Sequence, residues 1–161
     1  MREYIHYGST EFRKELFMPI KNRENFVKPN GGLWSSPITR KSPKGEWKEW
    51  VDGEGFSNGF KERYGDDNFF KFQLKRGSKI LTIRSAKELR GLPQIKSEYY
   101  DFGNVLLDFE ELAKEYDGIE VLISEEDKRG LELGEGLYWE LYGWDCDSLL
   151  VFNPDVVEVL Y

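Results

Sequence analysis

His6 is the only histidine in the chain, and Gly8 and Ser9 follow it in the stretch IHYGS. An imidazole changes charge near neutral pH and can hold a proton on either ring nitrogen. Further on, the pair Gly31-Gly32 runs into Leu33-Trp34-Ser35-Ser36. Glycines let a second backbone or a ligand come close, and an indole offers a flat stacking surface. These two stretches can hold a flat, polar ligand between backbone and ring. A third set of reactive groups lies in WDCDSLLVFNP, where Asp145 and Asp147 alternate, with Glu140 nearby. On an extended chain residues two apart share a face, and that face continues through Leu149 and Val151. An acid at the mouth of a buried strand is costly without a partner. It is therefore either a cap or turn residue or a functional carboxylate.

Each of these residues also has an ordinary reading. His6 can be a hydrogen-bonded structural residue, Trp34 a core residue, and Ser35 and Ser36 partners of the local backbone. Glu125-Glu126-Asp127 and Asp66-Asp67 read as solvated loop charge. Arg84-Ser85 reads as a strand end followed by a helix cap. One cysteine, Cys146, excludes an internal disulfide, and with one histidine it offers too few soft ligands for a structural zinc. No metal is expected. No nucleophile elbow, phosphate-binding glycine loop or dinucleotide fingerprint is present.

The elements that must position these residues follow from periodicity. Residues 3–7 read as a short strand, and 10–18 as a helical turn that Thr10 could cap and Pro19 limits. Pro29-Asn30-Gly31-Gly32 is a turn leading into a strand over 32–37. Trp47, Trp50 and Val51 fall at i, i+3, i+4, which predicts helix within 45–56; a polar loop follows over 57–68. FFKFQLK (69–75) and KILTIR (79–84), separated by Arg76-Gly77-Ser78, predict an antiparallel hairpin. Ser85 with Glu88, and Asp108 with Glu111, have the spacing of capping boxes, for short helices after each. Aromatic EYYDF (98–102) lies between those helices. IEVLIS, SLLVFNP and DVVEVLY predict three more strands. Residues 125–137 carry too many glycines for one uninterrupted helix. Strands scattered among short helices predict a single α+β domain over 1–161, with a mostly antiparallel, split sheet.

Composition narrows the partners. The 161 residues are 39% hydrophobic, 16% aromatic and 33% charged, with a net charge of −7. There is no basic stripe, so stable duplex nucleic-acid binding is disfavoured. No apolar run approaches the roughly 20 residues that span a bilayer. The first residues lack the apolar core of a secretory signal. A cytoplasmic protein without membrane contact is expected.

Three segments together resemble the ADP-ribosyltransferases of the diphtheria-toxin and poly(ADP-ribose) polymerase type. IHYGS resembles their histidine–glycine–serine strand. GGLWSSP resembles their glycine-led strand that ends in a stacking aromatic. DCDSLLVFNPDVVEVLY resembles their acid-led buried strand and the strand after it. The chain differs from the family pattern in three ways. Tyr7 separates His6 from Gly8, a tryptophan replaces the usual tyrosine, and an aspartate replaces the usual glutamate. A strict count from Asn153 puts Ser148 at that acid position.

The resemblance implies an ADP-ribosyltransferase-like fold with NAD as substrate. It implies cofactor contacts from Gly8, Ser9, Gly32, Trp34 and Ser35, and catalytic roles for His6 and Asp147, with Asp145 and Glu140 as alternative acids. The reaction would cleave the nicotinamide–ribose bond and transfer ADP-ribose to an acceptor that the sequence does not identify, or to water. A toxin or phage effector is the setting this class suggests. The competing expectation is a non-catalytic acidic interaction module, such as an immunity or inhibitor protein. A third is a phosphate-transferring or nucleotide-hydrolysing enzyme of unrelated fold.

Overall fold

A computed structural model describes residues 1–54, 63–98 and 104–161. The expected loop over 57–62 and the aromatic residues 99–102 lie outside the described residues. The chain forms one α+β domain around a seven-stranded mixed sheet. Its strands are β1 (Glu3–Tyr7), β2 (Leu33–Pro37), β3 (Phe69–Leu74), β4 (Ile80–Ile83), β5 (Gly118–Val121), β6 (Ser148–Val151) and β7 (Val157–Leu160). They lie in the order β4-β5-β6-β2-β1-β3-β7. Of the pairings among described residues, only β4–β5 is parallel.

The expected hairpin of β3 and β4 does not form. β3 pairs with β1 and β7, while β4 pairs with β5 at the opposite edge. Laid flat, β3 and β4 would stand roughly 24 Å apart at the usual strand spacing. The five-residue link between them reaches only about 20 Å when fully extended. The sheet therefore bends back on itself, and Phe72 of β3 and Ile80 of β4 meet in the same apolar cluster. Local turn chemistry at Gly77 fits a hairpin equally well; the bend, set by side chains from six strands, decides against it.

The two faces of the central strands carry different cores. Leu149 and Val151 of β6 pack with Tyr4, Leu33, Phe70 and Phe72 inside the bend. Leu150, between them, packs with Ile119, Phe109, Leu137 and Trp144 on the other side. Burial on both faces explains why Leu149, Leu150 and Val151 are apolar in succession rather than alternating with polar residues.

The helices are short. α1 (Glu46–Gly53) matches the predicted helix. α2 (Phe109–Leu112) begins at Asp108, whose side chain accepts from Glu111 N as predicted. Ser85 and Glu88 form the expected capping box, on a single 3-10 turn (Ala86–Leu89). The helix expected over 10–18 shrinks to a 3-10 turn at Lys14–Leu16 without a side-chain cap. The glycine-spaced stretch breaks into α3 (Glu125–Arg129), a 3-10 turn (Gly130–Leu133) and α4 (Leu137–Glu140).

Candidate functional site

The site begins where one ladder runs out. β1 pairs with β3 along its whole length, from Glu3 to Tyr7. Against β2 it pairs only at Tyr4–Pro37 and Ile5–Ser36. Beyond Ile5 the two strands separate, and a cavity of about 360 Å³ occupies the gap. β1 contributes His6 and Tyr7 to its wall, Gly8 follows directly after it, and β2 contributes Trp34 and Ser35. The segment entering β6 adds Asp145, Cys146 and Ser148. Lys28, from the loop before the Gly-Gly turn, and Trp47, Arg63 and Tyr64 close the remainder.

Glycines allow the close approaches that shape this wall. Gly45 (φ +79°) precedes α1, and a Cβ there would meet Ser36 Cβ at 2.7 Å and Ile5 Cγ2 at 2.9 Å. That approach brings α1 onto the sheet, where Trp47 N donates to Ser36 Oγ at 3.3 Å. Gly32 (φ +71°) immediately precedes β2, and a Cβ there would lie 2.6 Å from Leu150 Cδ1 and 2.9 Å from the carbonyl of Val151. Only glycine fits both the space and the left-handed backbone.

His6 bridges the separating strands. Its Nδ1 lies 2.6 Å from the carbonyl oxygen of Trp34. A carbonyl only accepts, so Nδ1 carries the proton and donates. Burial holds the imidazole below its ordinary pKa of 6.5, against the opposing pull of that bond. At neutral pH the ring is therefore uncharged, and Nε2 remains an acceptor. The ring also packs on Phe70, with centroids 5.1 Å apart. Trp34 rests on the fully buried Trp144 at 4.8 Å. Ser35 Oγ donates to the carbonyl of Leu149 at 3.2 Å, tying β2 to β6.

A second cavity, of about 590 Å³, shares His6, Gly8 and Trp34 with the first. Ser9 and Gly32 line it, together with the apolar side chains of Leu16 and Met18. Small-molecule sites commonly fall between about 300 and 1,000 Å³. Gly8, Ser9, Gly32, Trp34 and Ser35 thus border one or other of two adjoining chambers.

The three candidate acids part company. Asp145 lines the first cavity, and Tyr138 Oη donates to it at 3.4 Å. Asp147 lines neither cavity. Its Oδ1 accepts from Ile123 N at 2.7 Å, and its own N–H donates to Glu46 at 3.0 Å. Burial raises its pKa, the Ile123 bond opposes this, and Glu46 adds to the rise. Glu140 lines neither chamber either; its backbone carbonyl accepts from Val105 N. The shared face expected for Asp145 and Asp147 requires extended backbone, and the chain bends at Cys146 before β6 begins at Ser148.

Several wall residues lay outside the sequence reading. Lys28 has no strand or helix pattern around it, although it stands three residues before the Gly-Gly turn. The spacing of Trp47 predicts a helix and says nothing of a cavity. Arg63 and Tyr64 sit in a stretch whose composition reads only as polar loop. Cys146 is a free, buried thiol, and burial pushes it up to about 11, so it stays protonated at neutral pH. That state does not suit a nucleophile. Among the described residues no cluster of three or more His, Cys, Asp or Glu could hold a metal ion. No helix among them is long and apolar enough to cross a membrane. No family model, curated protein or solved structure matches the chain.

Proposed function

We propose that the protein is an NAD-dependent ADP-ribosyltransferase, or an NAD glycohydrolase, that breaks the nicotinamide–ribose bond. The reading is carried by one observation. The three motif segments supply β1, β2 and β6, which are neighbours in the sheet. The cavity at their separating ends gathers His6, Gly8, Trp34, Ser35 and an acid, Asp145. On this reading the nicotinamide stacks on Trp34 beside the backbone at Gly8. His6 Nε2 accepts a hydrogen bond from a ribose hydroxyl. Departure of nicotinamide leaves an oxocarbenium-like cation at the ribose carbon, which a nucleophilic atom of the acceptor, or water, captures with loss of a proton. A carboxylate held nearby stabilises that charge without reorganising, which is commonly the largest catalytic contribution. Asp145 takes this role, because it faces the cavity and Asp147 does not. The second chamber accommodates the remainder of the dinucleotide.

Incubation of the purified protein with NAD tests the proposal directly. Nicotinamide release, and a melting temperature that rises with NAD concentration, are the expected results. Absence of both would leave the interaction-module reading in its place. That second reading draws on the exposed side chains of Leu16, Met18 and Phe26, which are 60%, 66% and 49% exposed on the β1–β2 connection.

A further inference from the structure

Lys48 and Lys28 are both withdrawn from full solvent contact, and they are treated differently. The side chain of Lys48 is 6% exposed, and it meets Asp52 at 2.5 Å and Asp66 at 3.4 Å. Lys28 is half-buried in the wall of the first cavity. Among the described residues no carboxylate lies within 4 Å of its ammonium group, and no side chain or carbonyl accepts from it; the ammonium lies over the Trp34 ring, 5.4 Å from the centroid. An ammonium group has three donors and no acceptor capacity. Donors withdrawn from water without partners are costly, so a wall that keeps them this way is suited to a ligand that supplies oxygens. Asp145 lines the same cavity but stays too far away to close an ion pair with Lys28. The cavity therefore presents a cation and an anion separated by open space. NAD has the matching polarity, with a cationic nicotinamide and an anionic diphosphate.

We propose that Lys28 is the anion-holding residue of the site, positioning the diphosphate of a dinucleotide while Asp145 faces the ligand's cationic end. The ligand class rests on the NAD reading above, but the role of Lys28 can be tested without turnover. Burial lowers the pKa of Lys28, with Asp145 and Cys146 acting in the opposite sense. A bound diphosphate would add to that opposing pull. Arg63, also in the wall, supplies a second positive charge. These cations sit in a protein of net charge −7, so the cavity is locally opposite in sign to the molecule.

The test is calorimetric titration of the full chain with ADP-ribose, inorganic pyrophosphate and adenosine, for wild type, Lys28→Met, Lys28→Gln and Lys28→Arg. Loss of one charge-assisted bond corresponds to roughly ten- to hundredfold weaker binding. That loss is expected for ADP-ribose and pyrophosphate in Lys28→Met and Lys28→Gln. Lys28→Arg should recover most of it, and adenosine should not respond. In turnover the loss should appear in KM for NAD with kcat nearly unchanged, the mark of a positioning residue. If the uncharged variants do not fold, the salt dependence of wild-type binding decides. ADP-ribose affinity must then fall with ionic strength while adenosine affinity stays constant. Wild-type affinity for ADP-ribose in Lys28→Met, or failure of the wild-type chain to bind any phosphate-bearing probe, overturns the inference. Lys28-dependent binding without nicotinamide release supports it and removes the NAD reading. Nicotinamide release with an unaltered KM in Lys28→Met does the reverse.

Discussion

Asp145 and Asp147 are two residues apart and chemically identical, yet they occupy opposite kinds of site. Asp147 is held by backbone, accepting from Ile123 N at 2.7 Å where β5 ends. It joins the entrance of β6 to β5, and its N–H is taken by Glu46 of α1. Asp145 has a weaker partner, the Tyr138 hydroxyl at 3.4 Å, and faces the cavity. One carboxylate ties the entrance of β6 to β5; the other faces the cavity. Glu120 extends the first pattern: it is buried in β5 and receives bonds from Arg2 at 2.5 Å and Tyr4 at 3.0 Å. In this molecule a carboxylate bonded across neighbouring strands marks a structural joint, and one that faces a cavity marks the candidate site.

The largest expected effect would break this contrast if it fell on the wrong residue. Asp145→Asn should lower NAD turnover by at least about tenfold to a hundredfold, with little change in melting temperature, because the carboxylate acts on charge that develops in the transition state. Asp147→Asn should leave turnover within a few-fold of wild type. Nicotinamide release at saturating NAD measures both, and the opposite ranking would return the catalytic role to Asp147.

His6 belongs to both categories, and its replacement sharpens the boundary. His6→Ala removes the donor to the Trp34 carbonyl and the ring contact with Phe70. A loss of about 1–3 kcal/mol in chemical denaturation is expected, together with loss of NAD turnover. A variant that keeps full stability would mean that the bridge between β1 and β2 is not held by this ring.

A smaller stability change should separate the two properties of Asp147. Asp147→Ala strands the Ile123 N–H and should cost about 1–2 kcal/mol. Asp147→Asn keeps an acceptor in place and should cost less than half as much, as read from urea midpoints at constant m-value.

The smallest effects are in pH dependence, and they run in opposite directions. The folded pKa of His6 lies below its ordinary 6.5, so the unfolded chain takes up the proton first. Its stability contribution is present above about pH 6.5 and declines as pH falls toward the folded pKa. The folded pKa of Asp147 lies above its ordinary 3.8, so the native state holds its proton longer. Stability therefore falls as pH rises from 3.8 through the folded pKa, then levels off. Melting temperature against pH, taken as wild type minus His6→Gln and wild type minus Asp147→Asn, should show slopes of opposite sign in these windows.

Much of the secondary structure was legible because it depends on neighbours in the chain. β1, β3, β5, β6 and β7 follow their apolar patterns, and Ser85 and Asp108 cap the turns that their spacing implies. The turn at Gly31-Gly32 and the helix carrying Trp47 are equally local. The pairing of β4 was not legible. A strand's hydrogen-bonding edge carries no address, and its partner is chosen by side chains far away in the sequence. For the same reason the chain shows the residue types of the site but not its membership. Asp145 and Asp147 are equivalent under a period-two rule, and only the bend at Cys146 sends one to the cavity and the other to Ile123. Lys28 carries no periodic signal at all. Its place in the cavity wall is decided by the tertiary structure, because the segment entering β6 reaches that wall from a position far from it in the chain.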